Sequence, residues 1–246
     1  MEVSTSNGSV PMPILYDDSE MITSLYSAPT RKIIECIPGN KAFPLQIYPG
    51  RGLVMFSYVD HHKTSIGPYR EFSVGFPIRY KQASNIPFLS VLKLLGTQQE
   101  SHTWQLFVST PIALSAGNEL MACNKIMCDM KFKRNEREVS GSVSENGRHI
   151  ITLTARKLPA KRTPPYCMQM VNYSGPRDGE FVCMPYNVYL GSHGMSLRSK
   201  ASRLRLGTHP VAEQINSLKL SKKPVITIYS PSIKMVLPFP EKRVPV

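Results

Sequence analysis

A lysine sits inside an apolar stretch, GNELMACNKIMC (117–128), with Glu119 six residues before Lys125. Such an amine is either a surface cation whose neighbours dip into a core or a buried group kept for chemistry. Composition alone favours the surface, because most lysines are solvated. As a neutral amine, a lysine attacks a carbonyl carbon and forms an iminium, which then draws electrons from a breaking bond. At its usual pKa it is protonated at neutral pH. Lowering that pKa by roughly three to four units disfavours the charged form by about 4–5 kcal/mol. A second group lies in GPYREF (67–72), where Glu71 interrupts an apolar strand. A buried carboxylate there would have a raised pKa and serve as a general acid. The alternative is an edge residue paired with Arg70 or Arg79.

Other chemistries are set aside. The chain has no GxxxxGK phosphate loop and no GxSxG nucleophile elbow. The SxxK at Ser90–Lys93 lacks companion motifs and reads as chance. His61 and His62 are adjacent, so on a strand they face opposite sides and in a loop they lack further ligands. No metal site is expected there. Cys36, Cys123, Cys128, Cys167 and Cys183 form no CxxC pair, which suits reduced thiols in a cytoplasmic protein. The first residues lack the basic and apolar regions of a signal peptide. No run of about eighteen apolar residues predicts a membrane span. The net charge of +13 and pI near 9.6 attract anions. Yet LRSKASRLR (197–205) has no interleaved aromatics and reads as a solvated basic face rather than a nucleic-acid site. Binding a polyanion there would show a steep salt dependence.

The elements that position these residues are short and numerous. With 246 residues, 41% of them hydrophobic, the chain can bury a large core, and its 21 prolines and 15 glycines favour many turns and a β-rich fold. Residues 1–13 read as a flexible tail and 14–246 as a single domain. The segments 30–39 and 209–218 read as helices. Strands are expected at 50–60, 69–80, 104–110, 128–138, 148–158, 167–173 and 181–190. The stretch 225–239 reads as one or two more, with 61–68 as a loop.

The spacing of GPYREF, GNE and NKI resembles that of the acetoacetate decarboxylase family. Gly67, Tyr69 and Glu71 stand in its G-x-Y-x-E strand, and Gly117, Asn118 and Glu119 in its G-R-E segment. Asn124, Lys125 and Ile126 stand in its P-K-K segment. The WQLFVSTP strand, the NYSGPRDGE turn and LRLGTHPVAEQINSLKL follow in family order, from about Ser19 to Leu237. The resemblance turns Lys125 into a buried nucleophile and makes Glu71 its catalytic partner. It implies substrate contacts from Glu119, His61, His62, Arg79, Phe107 and Cys123, with no cofactor. The implied fold is mainly β (α+β): an antiparallel sheet curled into a closed cone or barrel around the active-site cavity, with a few short helices. A homo-oligomer is also implied.

Departures accompany the match. Ile126 replaces the second lysine, so desolvation must do nearly all of the activation. Asn118 stands for the family's arginine and Asn124 for its proline. Phe56 falls where an acidic residue is expected, and another family arginine falls near Ser19. The implied activity is a Schiff-base lyase, most simply a decarboxylase of a small 3-oxo acid. The alternatives are aldol, dehydratase or cyclase chemistry on a 2-oxo acid, and an inactive binding protein of the same fold.

Overall fold

In the computed structural model, which describes residues 1–81, 96–159, 161–240 and 242–246, β-branched and aromatic runs form long strands. Ser90 and Lys93 lie outside the described residues. The chain opens with a hairpin, β1 (Glu2–Thr5) and β2 (Gly8–Pro11), followed by the long β3 (Ile14–Pro29). The expected flexible tail is therefore an ordered hairpin, because Val10 and Met12 are buried against the body of the protein. The helix Thr30–Ile34 leads through β4 (Ala42–Pro44) and β5 (Gln46–Tyr48) to β6 (Arg51–Thr64), β7 (Tyr69–Tyr80) and β8 (Gln98–Val108). Strand β6 runs to Thr64, so His61 and His62 belong to it rather than to the predicted loop.

Beyond the helix Pro111–Ser115 come β9 (Lys125–Met127), β10 (Asp129–Arg134), β11 (Glu138–Glu145) and β12 (Arg148–Arg156). The chain ends with β13 (Lys161–Arg177), β14 (Glu180–Ser196), β15 (Ser202–Leu206), the helix Pro210–Ser217, β16 (Ile226–Leu237) and β17 (Lys242–Pro245). Strands β7, β6, β3, β16, β14, β13 and β8 pair in that order, and β8 returns to β7 to close a barrel. Every pair is antiparallel except β13 with β8, so the barrel is mixed.

Side chains alternate across these strands, which separates two interiors. Phe56, Tyr58, Phe72, Phe76 and Phe107 face outward and are fully buried. They are covered by a second sheet, β10-β11-β12-β15, which contributes Val139, Val143, Ile151 and Leu153 to the same core. Phe132 stacks on Tyr58 with ring centroids 5.3 Å apart. Gly141 permits this approach, since a Cβ there would overlap the Tyr58 ring. Each fully buried large apolar side chain contributes about 1.5–3 kcal/mol. The main core thus lies outside the barrel, and the lumen is left for another use.

Candidate active site

Lys125 is placed by a constrained loop. The helix Pro111–Ser115 continues into one wider π-type turn, Ala116–Leu120, a deviation that often marks functional sites. Gly117 lies under the Lys125 side chain, where a Cβ would overlap Cδ and Cε. Ala122 and Asn124 then adopt left-handed φ values of 50° and 47°. For alanine this conformation costs about 1–2 kcal/mol. The strain is held by Asn118, whose Oδ1 accepts from the Lys125 amide while its Nδ2 donates to the Lys125 carbonyl at 3.1 Å. Arg177, from the NYSGPRDG turn, donates to the Asn118 carbonyl and, at 2.8 Å, to that of Glu119. Strand β9 then pairs parallel to β8, with Lys125 opposite Leu106.

The amine meets Glu71 inside the barrel wall. Lys125 Nζ donates to Glu71 Oε2 at 2.9 Å, and the two side chains are 7% and 23% exposed. The Tyr69 hydroxyl donates to the same oxygen at 3.4 Å, and the Tyr16 and Tyr69 hydroxyls are 3.0 Å apart. Tyr69 and Glu71 share a strand face because they are two residues apart. His61, opposite Tyr69 on β6, lies between the Tyr16 and Tyr69 rings at centroid distances of 4.7 and 4.6 Å. Its Nδ1 is 2.8 Å from Ser19 Oγ. Of these groups Lys125, Glu71, Tyr16 and His61 line a cavity of about 120 Å³, joined by Cys123, Asn172 and Tyr186.

Electrostatics set the resting protonation. Burial pulls the Lys125 pKa down, but the Glu71 carboxylate and the neighbouring Tyr16 and Cys123 raise it further, so the amine ends above its ordinary value. Burial raises that of Glu71, while Lys125 and His61 lower it to a net value below the usual one. The pair rests as ammonium and carboxylate. This corrects the expectation that desolvation dominates: the carboxylate overrides it, and Glu71 does not carry the raised pKa expected of a buried acid. Burial drives His61 down to about 4, so its ring is neutral at pH 7. Burial also pushes the Tyr16 hydroxyl up to about 12 and the Cys123 thiol up to about 11, which keeps both protonated.

Of the residues expected at the site, Lys125, Glu71, His61 and Cys123 come together, and four others do not. His62 faces outward and meets Asp18 and Asp60 at 3.1 and 3.4 Å. Arg79 lies eight residues along β7 from Glu71 and pairs with Glu100 at 3.3 Å. Phe107 points into the outer core, because its neighbour Leu106 takes the lumen side. Glu119 is exposed, and its carboxylate accepts from the amide and hydroxyl of Ser6, tying the N-terminal hairpin to the lysine loop. Phe56 likewise faces outward, leaving Met55 on the lumen side. Among the described residues no arginine lines the cavity. Among the described residues no cluster of His, Cys, Asp and Glu could hold a metal ion. The sequence reading missed Tyr16, Asn118 as a clamp, and the hydrogen bonds that link Tyr69 to Tyr16 and Glu71. Only Tyr69 carried a signal, its two-residue spacing from Glu71.

The chain belongs to the acetoacetate decarboxylase family, whose model matches residues 1–237. Among solved structures, one acetoacetate decarboxylase superposes with a TM-score of 0.64 at 16% identity, covering 96% of this chain and 91% of the other. The acetoacetate decarboxylase of Legionella pneumophila gives 0.61 at 17% identity, covering 94% and 87%. The enduracididine biosynthesis enzyme MppR, complexed with the condensation product of pyruvate and imidazole 4-carboxaldehyde, gives 0.66 at 10% identity, covering 96% and 90%. At these identities the likeness is one of fold. No curated protein matches the sequence. Among the described residues no helix is long and apolar enough to cross a membrane.

Proposed function

We propose that the chain is a Schiff-base-forming lyase in which Lys125 condenses with the carbonyl of a 3-oxo acid, the simplest outcome being decarboxylation. One observation carries the reading: the buried Lys125 amine lies 2.9 Å from Glu71 in a cavity whose wall holds no other lysine or arginine among the described residues. Substrate entry removes water from the ion pair. In a drier site the neutral acid and amine gain on the charged pair, so Glu71 takes the proton. The amine attacks the carbonyl carbon, and Glu71 returns its proton to the hydroxyl that leaves as water. The bond to the carboxylate then breaks, its electrons enter the iminium and carbon dioxide departs. Among the described residues no guanidinium lines the cavity to hold the carboxylate, which favours its loss as neutral carbon dioxide. One net proton is taken up at the enamine carbon, a role assigned to Tyr16, which lines the cavity, with Tyr69 behind it. Water hydrolyses the iminium and frees the ketone and Lys125.

The MppR complex with a condensation product supports a second reading, aldol or dehydration chemistry on a 2-oxo acid through the same iminium. Borohydride trapping tests both. Acetoacetate and pyruvate are each incubated with the protein, and the labelled residue is identified by peptide mass. The expected adduct is on Lys125 and is lost in Lys125→Arg. Carbon dioxide release with acetoacetate marks the decarboxylase, whereas an adduct with pyruvate alone marks the second reading. A folded protein that acetoacetate, pyruvate and longer-chain 3-oxo acids all fail to label is the inactive binding protein.

A further inference from the structure

The cavity at Lys125 opens onto a second and larger space. Met55, Glu71, Ser73, Ser101, Tyr186 and Met235 border both. The larger space is the barrel lumen proper, about 220 Å³ in volume, equal to roughly seven water volumes. Six of the twelve methionines line it: Met21, Met55, Met168, Met170, Met195 and Met235. Leucine, isoleucine and valine supply much of the remaining wall. Met195 is half exposed, which sets it at the rim.

Among the described residues, several of the chamber's polar side chains are already engaged with one another, while the Ser73 and Tyr186 hydroxyls sit where it joins the Lys125 cavity. Thr23 and Ser57 hydrogen-bond each other at 2.8 Å, and Ser101 bonds Asn172 at 3.3 Å. Glu100 is engaged by Arg79 at 3.3 Å and by Tyr173 at 3.0 Å. Glu71 is held by Lys125. The lumen methionines are only partly buried although they face inward, whereas Ile22 and Phe56, beside Met21 and Met55 on the outer face of β3 and β6, are fully buried. Protein interiors fill such space unless it is used. Methionine is the lining that adapts to varied apolar shapes.

We propose that the lumen holds the hydrocarbon tail of the substrate, so that the carbonyl compound taken by Lys125 carries an extended apolar chain. This rests on Lys125 as the reacting group and names its substrate class. The carbonyl end sits between Lys125 and Glu71, and the tail runs past Met55 and Met235 into the methionine-lined chamber. A short acid such as acetoacetate would leave that apolar wall uncovered.

The test is calorimetric titration of unbranched methyl ketones, from butanone to tridecan-2-one, into the full chain. Binding is expected at one site, tightening about fourfold per methylene until the lumen is filled and then levelling off. Met168→Trp and Val188→Phe narrow the chamber away from Lys125 and should move that plateau to shorter chains. Affinity independent of chain length, or a plateau unmoved in both folded variants, would overturn the proposal. Should a variant not fold, the chain-length series on the wild-type protein decides. The two readings fail separately. Trapping of Lys125 by acetoacetate with no chain-length effect removes the apolar channel alone. Chain-length-dependent binding in a protein that no oxo acid labels keeps the channel and removes the lyase.

Discussion

At the scale of single residues, the contact between Lys125 and Glu71 controls everything the site can do. A nucleophilic lysine must lose its proton, yet the carboxylate 2.9 Å away holds that proton in place. Burial acts in the opposite direction and is the larger single influence on the amine. Replacing Glu71 should therefore let burial win. In Glu71→Gln the Lys125 pKa should fall below its ordinary value instead of standing above it, making the amine more reactive at a given pH. Carbamylation of Lys125 by cyanate, followed by peptide mass across a pH series, reads the neutral amine directly. Coincident profiles for the wild type and variant would mean that Glu71 does not govern the amine. The variant also leaves a buried charge unpartnered, so a stability loss of about 3–5 kcal/mol should accompany the shift.

At the scale of elements, the loop between β8 and β9 is the device that turns the Lys125 side chain into the cavity beside Glu71. Gly117 makes room for the lysine stem, so Gly117→Ala should push the side chain off Glu71 or distort the π-type turn. The expected result is loss of borohydride trapping by at least about tenfold, with stability lowered by about 1–3 kcal/mol from overpacking. Unchanged trapping would show that the lysine has another way to the cavity. The legibility of the sequence divides at this same level. Lys125 and Glu71 were readable because their spacing reproduces a family motif, and the strands because β-rich runs are punctuated by turn residues such as Asn146-Gly147. The lumen was not readable, for a physical reason. Barrel strands are apolar on both faces, as in Met21-Ile22 and Met55-Phe56, so alternation cannot tell lumen from outer core. A one-residue difference in facing separates Phe107 and Phe56 from the cavity. The clamp by Asn118 depends on a loop conformation that no periodicity encodes. The N-terminal hairpin was missed because its small polar residues read as a tail, while Val10 and Met12 supply the burial that orders it.

At the scale of the whole molecule, the two interiors share a vulnerability to acid. His61 in the cavity wall and His102 in the outer core are both buried, and burial holds each at about 4 against an ordinary 6.5. His102 donates its Nδ1 proton to the Tyr173 carbonyl at 2.9 Å, stacks on Phe76 and lies tilted against Phe181. His61 faces Glu71, Lys125, Asp60 and His62, whose opposing charges leave burial in control. The unfolded chain binds protons at these rings more readily than the folded one, so stability rises with pH between the two values. The contribution is fully present above pH 6.5 and is lost as pH falls towards 4, about 3 kcal/mol for each ring. Glu71 follows later: its folded pKa lies below 4.5, so its share is present above that value and is lost only at lower pH. Against a typical net stability of about 5–15 kcal/mol, two such rings decide where the protein unfolds. Acid denaturation followed by circular dichroism should therefore begin between pH 6.5 and 4, ahead of carboxylate protonation. His102→Asn keeps an amide donor for the Tyr173 carbonyl but cannot titrate, so its acid limb should move to lower pH. An unfolding midpoint identical to that of the wild type would mean that carboxylates, not buried imidazoles, set the acid limit of the fold.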